Sequence, residues 1–193
     1  SDCFAMTIEA ARLALKYMTP VILLTDGYIA QGSEPWRIPE LDQLPDLTPK
    51  FHDDPEHFAP YSRDPETLAR LWAIPGMKGM EHRIGGLEKQ HISGTVSHDP
   101  ENHQRMVEIR QEKIDRIAND IPSAEIVGPE SGDLLILGWG SSYGAIKTAV
   151  DRKTKAGKKV SFVHLRHLNP LPKNLGEILH GFERILIPEL NLG

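Results

Sequence analysis

Asp133-Leu134-Leu135-Ile136-Leu137-Gly138-Trp139-Gly140-Ser141-Ser142-Tyr143-Gly144 runs an apolar strand, Asp133 to Leu137, straight into a turn of small residues that opens a helix. A short, wholly apolar strand suits a parallel sheet covered on both faces, and strand–turn–helix is the repeating unit of α/β folds. The same pattern continues outward. A helix is predicted from Tyr143 to Lys155, a strand from Val160 to Leu165, and a proline-rich turn over His167-Leu168-Asn169-Pro170-Leu171-Pro172. A helix from Leu175 to Phe182 and a strand over Ile185-Leu186-Ile187 follow. Residues 122–193 therefore read as a parallel-sheet α/β domain, incomplete because the chain stops on the heels of a strand.

Upstream, Ser1 or Asp2 is placed to cap a helix that carries Phe4, Ile8, Ala11 and Leu15 at helical spacing. Pro20 ends it, because proline cannot continue a helix. Val21-Ile22-Leu23-Leu24 is predicted as a strand buried on both faces, delivering Asp26 and Gly27 at its carboxyl end, where ligands gather in open α/β sheets. From Pro35 to Pro100 the prolines recur at 35, 39, 45, 49, 55, 60, 65, 75 and 100, and no period persists. This length reads as an extended connector that gains order by packing, with one or two helical turns at Pro65–Trp72. A regular helix is expected from Pro100 to Ile117, with Met106, Ile109, Ile114 and Ile117 along one stripe.

With 39% hydrophobic and 25% charged residues, the 193-residue composition is that of a soluble protein, and no apolar run is long enough to span a membrane. A net charge of −5 argues against nucleic acid as partner, since phosphate backbones need a basic face. The basic cluster from Lys153 to Lys159 reads as the solvated end of a helix, where cations complement the dipole. A single cysteine, Cys3, excludes an internal disulfide and a self-contained iron–sulfur site, and points to a reducing, cytoplasmic setting.

The Gly138–Gly144 turn matches a dinucleotide fingerprint only in part, because the second strand closes on Arg166-His167 and not on an acidic residue. Its bland reading is a tight turn that brings a helix close to a sheet. The nine histidines show no metal-ligand spacing, and Glu81-His82 reads as a loop contact. The two turns leave Asp26, Gly27, Gly138, Gly140, Ser141, Ser142 and Tyr143 as candidate cofactor contacts. The residues alone leave three classes open: an enzyme subunit, a nucleotide- or anion-binding α/β module, and a non-catalytic architectural or interface domain.

Several segments, taken in order, resemble one family. They are Ser1–Phe4 (SDCF) opening a helix, Pro20–Trp36 (PVILLTDGYIAQGSEPW), Asp64–Arg70 (DPETLAR), Glu81–Glu88 (EHRIGGLE), Ser97–His103 (SHDPENH), Gly138–Gly144 (GWGSSYG), His164–Pro172 (HLRHLNPLP) and Pro188–Gly193 (PELNLG). Together they are similar to the alpha subunit of 2-oxoacid:ferredoxin oxidoreductases, most of all the 2-oxoglutarate type, within the pyruvate:ferredoxin oxidoreductase superfamily. The resemblance implies oxidative decarboxylation of 2-oxoglutarate or a related 2-oxoacid to an acyl-CoA, with electrons passed to ferredoxin. It implies thiamine diphosphate with Mg shared with a beta subunit, an iron–sulfur cluster on that partner chain, and coenzyme A as co-substrate. Residues 1–40 would close a thiamine-diphosphate pyrimidine-binding domain, 41–121 would form an extended linker with a helix, and 122–193 would begin a domain like the C-terminal domain of transketolase. The chain is expected to be a fragment, with the catalytic glutamate and the substrate-gripping Thr and Arg upstream. No catalytic residue and no metal ligand is therefore carried over onto it.

Overall fold

The structure, a computed structural model, describes residues 2–190. The chain divides into two compact units, Ser1–Leu23 with Arg37–Ile117 and Leu24–Trp36 with Ala118–Gly193.

The second unit is organised by β2 (Gly132–Trp139), whose residues Leu135 to Gly138 are all buried. β2 pairs in parallel with β3 (Val160–Leu165) on one side and with β4 (Phe182–Leu186) on the other. Side chains alternate across such a strand, so each face needs its own cover. Leu135 and Leu137 join Val163, Leu165, Leu175 and Ile178 on one face, under α5 (Leu175–His180). Ile136 joins Val160, Phe162, Ile146 and Val150 on the other, under α4 (Tyr143–Lys155). The α/β architecture, α4 and β3 thus follow the reading from sequence.

The sheet is mixed at its edge. The two-residue strand β1 (Ile126–Val127) runs antiparallel to β3, through Ile126↔Val163 and Val127↔Phe162. Asn174 fixes this entry, since its side-chain carbonyl accepts from Ala124 N at 2.8 Å and its amide donates to Ala124 O at 2.9 Å. The last helix ends at His180, two residues early, because the Gly181 N–H turns back to Ile178 O. β4 starts correspondingly sooner than the predicted Ile185.

In the first unit, α1 (Asp2–Tyr17) packs on α3 (Pro100–Ile117). The bounds of α3 are those predicted, with Met106 and Ile117 buried. The predicted cap at Ser1 lies outside the described residues, and Asp2 sits within the first turn of α1. The deeply buried positions of α1 are Leu13 and Tyr17 rather than the expected stripe, whose members are only half-buried. Val21–Leu24 forms no strand, against expectation. A strand needs a ladder partner and none pairs with this segment among the described residues, so Ile22 is 83% exposed.

Between the helices the chain is irregular, as expected, with a 3-10 turn at Leu41–Gln43 and isolated bridges such as Tyr61↔Ile92 and Arg63↔Arg70. Pro65–Trp72 does not form the predicted helical turns. Asp64 accepts from the N–H groups of Glu66 and Thr67 and from the Thr67 hydroxyl, and Leu68 takes φ +57°, so the chain reverses and the bridge Arg63↔Arg70 closes it. Helix side chains satisfy the irregular backbone. Buried Asn102 accepts from His91 N at 2.8 Å and donates to Lys89 O at 2.9 Å. Trp72 Nε1 donates to Leu15 O, and Arg116 donates to the carbonyls of Pro65 and Glu66.

Leu135 is fully buried, so Leu135→Ala is expected to destabilise the fold by about 3 kcal/mol. Asn102→Leu leaves two buried backbone groups unpaired and is expected to cost about 2 kcal/mol. Urea unfolding followed by tryptophan fluorescence measures both.

Candidate functional site

Asp26 is the residue that joins the two candidate turns. Its extended backbone (φ −123°, ψ 163°) makes it the N-cap of α2 (Gly27–Gln31), with Oδ1 accepting from Ile29 N at 3.0 Å. Oδ2 accepts from Ser141 N at 3.1 Å, 115 residues further along the chain and within the same unit. The bonds from the Ser141 side chain and the Ile29 N–H hold the Asp26 carboxyl below the ordinary carboxylate range. The sequence predicted two separate turns; the structure brings them to one place.

The rest of the turn is shaped by packing. A Cβ on Gly138 would lie 2.3 Å from Ile146 Cδ1 and 2.9 Å from Ser142 Oγ, so only glycine lets α4 lie this close to the sheet. Gly140 takes φ +58°, the left-handed region that glycine enters freely. Ser142 Oγ donates to Trp139 O at 2.6 Å. Tyr143 is half-exposed, its ring set edge-on against Phe162 and His164 with centroids 5.9 and 5.0 Å away. Gly27 has open space where a Cβ would stand.

A diphosphate at this turn would need the free amides that lead into α4. Of these the Ser141 amide already donates to the Asp26 carboxylate, whose charge repels an anion. Among the described residues, no three His, Cys, Asp or Glu side chains gather as metal ligands. The turn therefore does not fit the diphosphate and metal of a thiamine cofactor. Glu81 and His82 serve loop backbone, through Gly79 N and Met80 O, as their sequence context suggested.

A second concave region lies in the first unit and was not anticipated. A cavity of about 370 Å³ is lined by Arg63, Arg70, Lys89, Arg110 and Lys113 with Glu88. Arg63 Nη1 donates to Tyr61 O at 2.9 Å and to His91 Nδ1 at 3.0 Å, and its Nη2 lies 3.4 Å from Met106 Sδ. Since a guanidinium only donates, His91 must offer Nδ1 as an acceptor; burial, with Arg105 and Arg63 nearby, lowers its pKa and favours that neutral ring. The spacing of Met106, Ile109, Arg110 and Lys113 was the available signal, because it puts two cations on the apolar stripe of α3.

Residues 1–99 match the family described as pyruvate flavodoxin/ferredoxin oxidoreductase, thiamine diphosphate-binding. The 2-oxoglutarate oxidoreductase subunit KorA of Mycobacterium tuberculosis is 53% identical over 194 aligned residues, which span all of this chain and 29% of that protein. The alpha subunit of 2-oxoacid:ferredoxin oxidoreductase 1 of Aeropyrum pernix is 29% identical over 98% of this chain and 30% of its own length. A solved 2-oxoglutarate:ferredoxin oxidoreductase from Magnetococcus marinus, holding 2-oxoglutarate, coenzyme A and succinyl-CoA, superposes with a TM-score of 0.90. It is 27% identical, over 99% of this chain and 33% of that one. The chain thus spans about a third of these relatives' length.

Gly138→Ala is expected to cost about 1–3 kcal/mol from overpacking, whereas Gly144→Ala, with open space at its Cβ inside α4, should be neutral or stabilising by up to about 1 kcal/mol. Thermal unfolding of the pair separates a packing glycine from a merely permissive one. The lowered Asp26 carboxyl contributes stability above its unfolded pKa and loses it as pH falls through the folded value. Protection of the Ile29 and Ser141 amides, taken relative to their intrinsic exchange at each pH, should therefore fall on acidification, and Asp26→Ala should show the low protection at neutral pH.

Proposed function

The chain belongs to the pyruvate flavodoxin/ferredoxin oxidoreductase thiamine-diphosphate-binding family, and from that premise we propose that it is part of the alpha subunit of a 2-oxoglutarate:ferredoxin oxidoreductase. The whole protein would convert 2-oxoglutarate and coenzyme A to succinyl-CoA and carbon dioxide, passing two electrons to ferredoxin. The observation that carries this reading is 53% identity running the full length of the chain, with the 0.90 superposition as independent support. Thiamine diphosphate supplies the electron sink for decarboxylation when bound.

What this chain contributes is position. Residues 1–40 close the pyrimidine-binding domain in this reading, 41–121 are the connector with its helix, and 122–193 open the transketolase-like domain. The set Asp26, Gly27, Gly138, Gly140, Ser141, Ser142 and Tyr143 forms a braced margin, in which Asp26 ties two turns and Tyr143 offers an exposed edge. The cofactor's diphosphate, its Mg and the iron–sulfur cluster fall to the beta subunit, consistent with the exposed, solitary Cys3. Among the described residues no helix is long and apolar enough to cross a membrane. A cytoplasmic setting fits the lone thiol.

The test is reconstitution of the full-length alpha subunit with its beta subunit. Viologen reduction should require both 2-oxoglutarate and coenzyme A, with slower or no turnover of pyruvate. A correctly assembled, cofactor-loaded pair that reduces viologen with no 2-oxoacid would overturn the proposal.

A further inference from the structure

Within the connector, the turn 88–97 closes on itself, with Gln90 N donating to Thr95 O at 2.7 Å and Ser97 N to Glu88 O at 3.0 Å. Inside it the exposed Ile92 takes φ +79°. A β-branched residue is an outlier in that left-handed region, and such strain persists only where surrounding contacts over-determine the backbone. Three contacts do so here. His91 N donates to Asn102 Oδ1 of α3 at 2.8 Å, Tyr61 N donates to Ile92 O at 3.0 Å, and Arg63 Nη1 donates to His91 Nδ1 at 3.0 Å. The first two are made by groups that do not titrate. The third is conditional, because a guanidinium only donates and the imidazole accepts only while Nδ1 carries no proton.

The surroundings offer a protonated ring no compensation. Arg63 faces it from the connector and Arg105 from α3, with Arg70 and Arg110 around Arg63 in turn. Glu88, the carboxylate of the turn, is engaged by His103 at 2.8 Å and Arg110 at 3.4 Å, and Lys89 gives its ammonium to the carbonyls of Gly85 and Leu87. We propose that 88–97 is an acid-released latch: with His91 neutral, the Arg63 bond holds the strained turn on the 60–63 segment, and with His91 protonated two cations face each other and the turn lifts as Ile92 relaxes. Burial, with Arg105 and Arg63 nearby, lowers the His91 pKa. The closed form is therefore fully stabilised above the ordinary histidine value and loses that stability as pH falls from there through the lowered one. Both sides of the latch, Tyr61 and Arg63 as well as Glu88 and Lys89, line the unit's cavity, so release opens that space. The inference stands on this turn and does not rest on the proposed reaction.

Deuterium exchange read by mass spectrometry, on the full-length protein assembled with its partner subunit and corrected for intrinsic exchange at each pH, tests it. As pH falls from about 7.5 to about 5.5, protection in peptides covering 60–64 and 88–97 should drop roughly tenfold while the middle of α3 keeps its protection. His91→Asn sets a carbonyl oxygen where Nδ1 stands and does not titrate, so it should keep the same peptides protected across the range. His91→Ala should show the low protection already at neutral pH. Exchange of the His91 ring C2 hydrogen, which needs no substitution, should have its pH midpoint below that of the denatured chain. No drop in the wild type, a drop shared equally by His91→Asn, or a ring midpoint at or above the denatured value would overturn the proposal.

Discussion

Burial of β2 on both faces and both edges is the constraint on which the second unit depends. Past its exposed start at Asp133, a strand flanked by β3 and β4 and covered by α4 and α5 leaves no position for a polar side chain, and Leu134–Leu137 answers with an unbroken apolar run. Bringing α4 down onto that surface requires the strand to end without a side chain at Gly138, where Ile146 fills the space. The same close approach brings the Ser141 amide to where Asp26 takes it. Packing therefore decides the chemistry of the turn: a geometry that opens an anion site when the amides are left free becomes, here, an acid-capped junction.

The first unit solves a different problem. Its connector has too little regular structure to satisfy its own backbone, and the groups that do so come from the helices at either end. Asn102, Arg116 and Lys113 on or near the buried side of α3 reach carbonyls and amides of the loops, and Trp72 reaches back to α1. The connector also supplies one such group itself: Lys89 is only 2% exposed, with its ammonium donating to the carbonyls of Gly85 and Leu87. Long cationic side chains are suited to this task because an apolar stem crosses the core and several donors wait at the tip.

These two solutions differ in how far they are legible in sequence. Where one local pattern specifies an element, its bounds could be read: α3 and α4 carry periodic burial, and β3 is a short run buried almost throughout. Where an element depends on a neighbour, reading failed. Val21–Leu24 has the composition of a buried strand, but composition cannot supply the ladder partner that defines one. Pro65–Trp72 has helical residues, but Asp64 captures the amides that a helix would have left free, and that capture is energetically local yet invisible to periodicity. The Asp26–Ser141 bond spans 115 residues and has no sequence signature at all; only the separate suspicion attached to each turn was available.

The cavity and the acid-capped turn also show why charge must be placed before it is interpreted. By composition the chain is acidic, which argues against a nucleic-acid face but says nothing about a local excess of cations. The cations in question are spread from Arg63 to Lys113 through irregular chain, and only the Asp64 reversal and the stripe of α3 bring them around one space. The one carboxylate in that space is held by His103 and Arg110, and Arg63, Arg70 and Lys113 bond to neutral acceptors. The glycine-rich turn, which looks made for an anion, is met by the Asp26 carboxylate from a distant turn. The irregular connector, which looks like a spacer, holds the positive cavity. Sequence motifs report what backbone can do; the distribution of counter-charge in the folded chain decides which of those possibilities is used.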